Sequence, residues 1–121
     1  MANVSGPSFI TLLVNNLETS HRFYADKIGL PESAEKRPQA HAYATKPCGM
    51  AIRQREPESP TAASPGQGIL VWFHTTDSKA FHDQLKAQGV SIAHELEDGP
   101  FGKTFSFQDP DGYVLGVYDG A

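Results

Sequence analysis

The sequence predicts an α+β fold: two tandem βαβββ modules whose curved mixed sheet surrounds a central cavity. Three observations predict it. The order apolar strand, short helix ending in Gly, hairpin over Pro-x-Gly occurs between residues 9 and 49 and again between 69 and 112. Residues 56–68 are rich in Pro, Ser, Ala and Gly, the composition of a linker between two such modules, residues 8–55 and 69–119. The 121 residues are 39% hydrophobic and 20% charged, which suits a single domain with its own core.

Phe9–Val14 is an apolar run broken only by Thr11, the pattern of a strand buried on both faces. Asn16 or Thr19 can cap the next helix, whose Phe23, Tyr24 and Ile28 have core spacing. Gly29 is a natural residue after the helix end, and Pro31 blocks its continuation. Residues 32–39 read as loop. Residues 41–45 and 50–55 form a hairpin around Pro47-Cys48-Gly49.

In the second module, residues 69–75 repeat the first strand, and Asp77 or Ser78 caps a helix over 79–88. Residues 90–96 read as strand and Gly99-Pro100-Phe101-Gly102 as a tight loop. Residues 103–108 alternate, with Phe105 and Phe107 on one face and Thr104, Ser106 and Gln108 on the other. Asp109-Pro110-Asp111-Gly112 makes the turn into the last strand, 113–118.

The bulk properties exclude several function classes. The net charge is −4 with no basic stripe, against a nucleic-acid partner. No apolar run reaches membrane-spanning length. Residues 1–8 lack the regions of a signal peptide, and lone Cys48 has no internal disulfide partner, so a cytoplasmic protein is expected. No phosphate-binding Gly loop and no assignable nucleophile–His–Asp set is present, and Cys48 lies in a turn without a neighbouring base.

Leu13-Val14-Asn15-Asn16-Leu17-Glu18, Phe23-Tyr24, Ile28-Gly29-Leu30 and the run from Gly102 through Asp109-Pro110-Asp111-Gly112 to Tyr113 resemble the vicinal oxygen chelate superfamily. That group includes glyoxalase I, extradiol dioxygenases, fosfomycin-resistance enzymes and bleomycin-binding proteins. The resemblance covers nearly the whole chain and implies the glyoxalase-like fold, with a homodimer expected. Fold alone leaves function open. The family's enzymes hold a divalent metal through a residue opening each module's first strand and a Glu in the last strand. Here those positions fall on Phe9, on Gly68 or Leu70, and on Gly116, none with a donor side chain. The chain therefore resembles the metal-free drug-binding branch, and neither a cofactor nor catalytic residues are expected.

Strand parity nominates a ligand face. Phe9 and Thr11, Leu70, Trp72 and His74, Thr104 and Ser106, and Gly116 and Tyr118 each share a face on their strands, and His41, Tyr43 and Thr45 are favoured inward over Ala40, Ala42 and Ala44. Trp72 is a natural stacking platform, while Phe9, Tyr43 and Tyr118 suit barrel filling better than ligand contact. Arg53 matches Gly116 when the two hairpins are superposed and would bind an anion; the opposite parity places Met50, Ile52 and Gln54 inward instead. His21, His82 and His94 are expected at the surface. The leading expectation is metal-independent binding of a small aromatic or hydrophobic molecule, an antibiotic among them. The alternative is a glyoxalase- or dioxygenase-type enzyme with a non-standard metal site from His41, His74 and Glu95. A third reading is a fold that serves a protein partner.

Overall fold

The computed structural model describes residues 2–35, 37–56 and 65–120, so most of the expected linker lies outside the described residues. The chain divides into two compact units, Met1–Ser59 and Pro60–Ala121. Among the described residues, no helix is long and apolar enough to cross a membrane.

The first unit contains β1 (Phe9–Val14), α1 (Leu17–Arg22), a π-helical turn (Phe23–Ile28), β2 (Ala40–Tyr43) and β3 (Gly49–Gln54). The strand order is β1-β3-β2, with β1 parallel and β2 antiparallel to β3. Of the two candidate caps, Asn16 takes the role: its Oδ1 accepts from the Thr19 amide at 3.1 Å. The helix then widens into π geometry, which brings Phe23 and Ile28, five residues apart, onto one buried face with Tyr24 beside them. Gly29 ends it at φ +84, where a side chain would be strained.

Two expectations change in this unit. Only one face of β1 is buried: Leu12 and Val14 pack under the helix with Met50 and Ile52, while Phe9 and Leu13 stand exposed. Glu32 and Ser33, in the stretch 32–39 read as loop, pair with β2 through the Glu32–Tyr43 bridge and the Ser33 amide donating to the Ala42 carbonyl. That segment stands where the second unit has a full strand, so the first module is a reduced βαβββ.

The second unit contains β4 (Val71–His74), α2 (Ser78–Ala87), β5 (Ile92–Gly99), β6 (Gly102–Gln108) and β7 (Val114–Tyr118), in the order β4-β7-β6-β5. Asp77 caps α2 by accepting from the Ala80 amide. Leu85 of α2 and Phe105, Phe107, Leu115 and Val117 of the sheet form the core, with Phe81 edge-on to Phe105. Asp109 explains its own motif: its Oδ1 accepts from the Asp111 and Tyr113 amides, holding the turn into β7.

Asp119 fastens the end of the sheet to α2. Its two carboxylate oxygens accept from the Ser78 amide at 3.0 Å and the Lys103 amide at 2.9 Å. The Ser78 amide, then that of Lys103, holds its carboxyl below the ordinary value of 3.8. Glu95 is likewise lowered, first by its hydrogen bond to His82. The folded state thus binds fewer protons than the unfolded chain, whose carboxyls titrate at about 3.9 and 4.3. This contribution is complete above those values and is lost as pH falls through the depressed folded ones. Urea unfolding is therefore expected at lower urea at pH 3 than at pH 6, and Asp119→Asn should narrow the difference; an unchanged difference would contradict this role.

Candidate functional site

Each sheet has a helix on one face and leaves the other open, and the open faces carry most of the expected ligand residues. In the first unit, cross-strand register sets out two rows. Thr11, Ala51 and Ala42 are neighbours, as are Leu13, Arg53 and Ala40. The alanines make a shallow floor, and a cavity of about 530 Å³ lies over it, bordered among others by Phe9, Thr11, Ala42, Ala51 and Arg53. Phe9, 56% exposed, covers its neighbour Gly49: a Cβ on Gly49 would stand 2.9 Å from Phe9 Cδ2.

The register also decides the parity of the hairpin. Arg53 is on the open face, exposed, and forms no ion pair with a described residue. Met50 and Ile52 are buried on the helix face. Gln54 ties strand to helix, accepting from the Leu17 amide at 3.0 Å and donating to the Asn15 carbonyl at 2.8 Å. In β2 the expected parity is reversed. His41 pairs with Ile52 and Tyr43 with Met50, so both turn to the helix face, and Ala40 and Ala42 take the open one. The reason is steric: Tyr43, 2% exposed, fills the space beneath Tyr24, and its hydroxyl is within 2.9 Å of His21 Nδ1. Burial, reinforced by the nearby Glu32 charge, raises the Tyr43 phenol well above its ordinary value, so it remains a neutral hydroxyl at physiological pH. Tyr43 still borders the cavity from its strand.

In the second unit the expected face is assembled. His94, Ser106, Gly116 and Trp72 form one row across all four strands, and Thr104, Tyr118 and His74 form the next. Trp72 is 50% exposed, and its indole covers Gly116, where a Cβ would stand 2.7 Å from Cε3. Tyr118 meets the indole edge-on at 6.2 Å and the His74 ring at 5.1 Å. Leu70 precedes β4 and is exposed. Ser106 is buried, with its Oγ 2.7 Å from His94 Nδ1.

Of the three histidines expected at the surface, His94 is exposed, His21 is partly exposed and His82 is buried, and each has a partner. His82 is 7% exposed, with Nδ1 2.9 Å from Asp83 and Nε2 2.8 Å from Glu95. His21 stacks on His41 with ring centroids 3.7 Å apart. Apart from the contact of His82 with the adjacent Asp83, none of these pairings leaves a sequence signal, since each joins residues on different elements. They also disperse the alternative metal set: Glu95 is engaged by His82 beside α2, whereas His74 is on the open face against Tyr118. At the positions where the resemblance places metal ligands stand Phe9, Gly68 or Leu70, and Gly116, which offer no donor side chain.

Comparison with known proteins agrees with this architecture. The chain aligns at 22% identity, over 100% of both chains and with a TM-score of 0.74, with TnmS3, an antibiotic binding protein from Streptomyces sp. CB03234. A glyoxalase-related enzyme from Fulvimarina pelagi matches at 19% identity over 95% of this chain and 88% of that one, with a TM-score of 0.77. A glyoxylase/bleomycin resistance protein/dioxygenase domain from Frankia sp. EAN1pec matches at 21% over 98% and 94%, also at 0.77. At these identities the likeness is one of fold. No curated protein matches. The family profile matches residues 6–117, nearly the whole chain, and this makes the protein a member of the Glyoxalase/Bleomycin resistance protein/Dioxygenase superfamily.

Proposed function

We propose that the protein binds and sequesters a small, planar aromatic or hydrophobic molecule, without a metal at the positions the family's enzymes use. One observation carries this reading: in each unit an exposed aromatic ring covers a glycine of the neighbouring parallel strand, Phe9 over Gly49 and Trp72 over Gly116. A large ring held half in water forgoes part of its burial energy, and a flat, supported ring is a surface on which another planar group stacks. Around Trp72 the groups able to orient a ligand are few: the His94–Ser106 pair, Thr104, Tyr118 and His74. Beside Phe9, Arg53 offers a fork to an acidic substituent. The role of TnmS3 as an antibiotic binding protein supports the same reading, and antibiotics are among the compounds to test.

Trp72 is the only tryptophan, so its emission reports directly on this face. A panel of polycyclic aromatics, with and without a carboxylate, is expected to contain compounds that quench it saturably. Trp72→Ala should then weaken binding, measured by calorimetry, by roughly thirtyfold, the effect of losing a central aromatic anchor worth about 2 kcal/mol. Affinity unchanged in Trp72→Ala would sink the assignment.

A further inference from the structure

We propose that His21, Glu32 and His41 form a binding site for a divalent transition-metal ion on the helix face of the first sheet. This site is separate from the open faces and from the positions Phe9, Leu70 and Gly116, and it does not rest on the proposed ligand function.

Three elements build it. His21 is in the last turn of α1, and Glu18, three residues earlier, shares its side of the helix. The pairing that turns His41 toward the helix does the same for Tyr43, two residues on. The Glu32–Tyr43 bridge sets Glu32 at the free edge of β2. The three side chains offer two imidazole nitrogens and a carboxylate oxygen within 4.8 Å of one another. His21 Nε2 is 3.1 Å from Glu32 Oε1, close to the roughly 3.4 Å that separates two ligands of one tetrahedral ion.

The surroundings suit an ion. The Tyr43 hydroxyl lies 2.9 Å from His21 Nδ1, so its oxygen can accept a hydrogen bond from Nδ1–H and leave Nε2 as the ligand atom, the outer partner a metal-bound His ordinarily has. His41 is less constrained: Glu18 Oε1 is 3.8 Å from its Nε2, beyond hydrogen-bond length. Stacked rings aim their lone pairs side by side, so capture turns the His41 ring out of the stack toward Nε2 of His21. Both imidazoles are partly exposed and Glu32 more so, which leaves an entry path and open coordination positions. Two nitrogens and one oxygen select Zn²⁺, Co²⁺ or Ni²⁺ over Ca²⁺ or Mg²⁺.

The test is titration of the tag-free chain with Co²⁺, followed by its visible absorption, and with Zn²⁺ by calorimetry. One ion per chain is expected, with Mg²⁺ unable to compete. His41→Ala and Glu32→Gln should each weaken binding at least tenfold, and Tyr43→Phe about tenfold through loss of the outer hydrogen bond. Glu32 is exposed, so Glu32→Gln keeps the fold testable should His41→Ala disturb it; circular dichroism checks both. No saturable binding, or binding that survives both variants and is lost in His74→Ala or His82→Ala, overturns the proposal.

Discussion

Phe107→Ala is expected to cost the second unit about 3–5 kcal/mol, the range for deleting a fully enclosed aromatic ring. Phe107 has no exposed surface and lies on the helix face of β6, against Phe73 at 6.2 Å and Phe105 at 6.4 Å. Its strand is bonded on both sides, to β5 and β7, so the backbone cannot collapse into the void. The loss therefore includes a cavity as well as transferred surface. Urea denaturation followed by far-ultraviolet circular dichroism should show the midpoint falling with little change in slope. A change below about 1 kcal/mol would mean that the ring does not fill the core as the structure shows.

Gly116→Val should have the opposite profile, leaving stability nearly intact while removing binding. Its backbone is in an ordinary strand conformation, and valine is well suited to a strand. The added Cβ, however, would stand 2.7–3.0 Å from three atoms of the Trp72 indole. A half-exposed ring can swing away into water, so the fold survives and the platform does not. The Trp72 emission maximum should shift to the red, and affinity for any compound that quenches the native protein should fall at least tenfold. Gly116→Val with unaltered emission and affinity would show that the ring-on-glycine contact is not what the ligand uses. Phe107→Ala and Gly116→Val thus separate the two faces of one sheet, the first acting on stability and the second on the exposed ring.

Much of the second unit was legible in the sequence because its signals are local. Alternation through Thr104–Gln108 separates a core face from an open one, and the Asp-Pro-Asp-Gly turn fixes where β7 begins. Once β7 is in register, Trp72, Ser106 and Gly116 fall in one row. The first unit misleads for an equally physical reason. Phe9–Val14 is apolar on both parities, so hydrophobicity cannot reveal that only the Leu12 and Val14 side is covered. The run Ala40-His41-Ala42-Tyr43 pairs small residues with medium-sized rings, and either could face a helix. The choice is made by Tyr24 and His21, which leave a space that Tyr43 fills.

The sequence by itself determined the family, the order of elements, a choice of two candidate caps for each helix, and the absence of donor side chains at Phe9 and Gly116. These are properties of residue type and short-range spacing. Only the tertiary structure decided the parity of β2 and β3, the partners of the histidines, and the meeting of His21, Glu32 and His41. Those depend on register between strands distant in sequence and on which side chain fills the space under a helix, and a one-residue slip in register would send each of them to the other face.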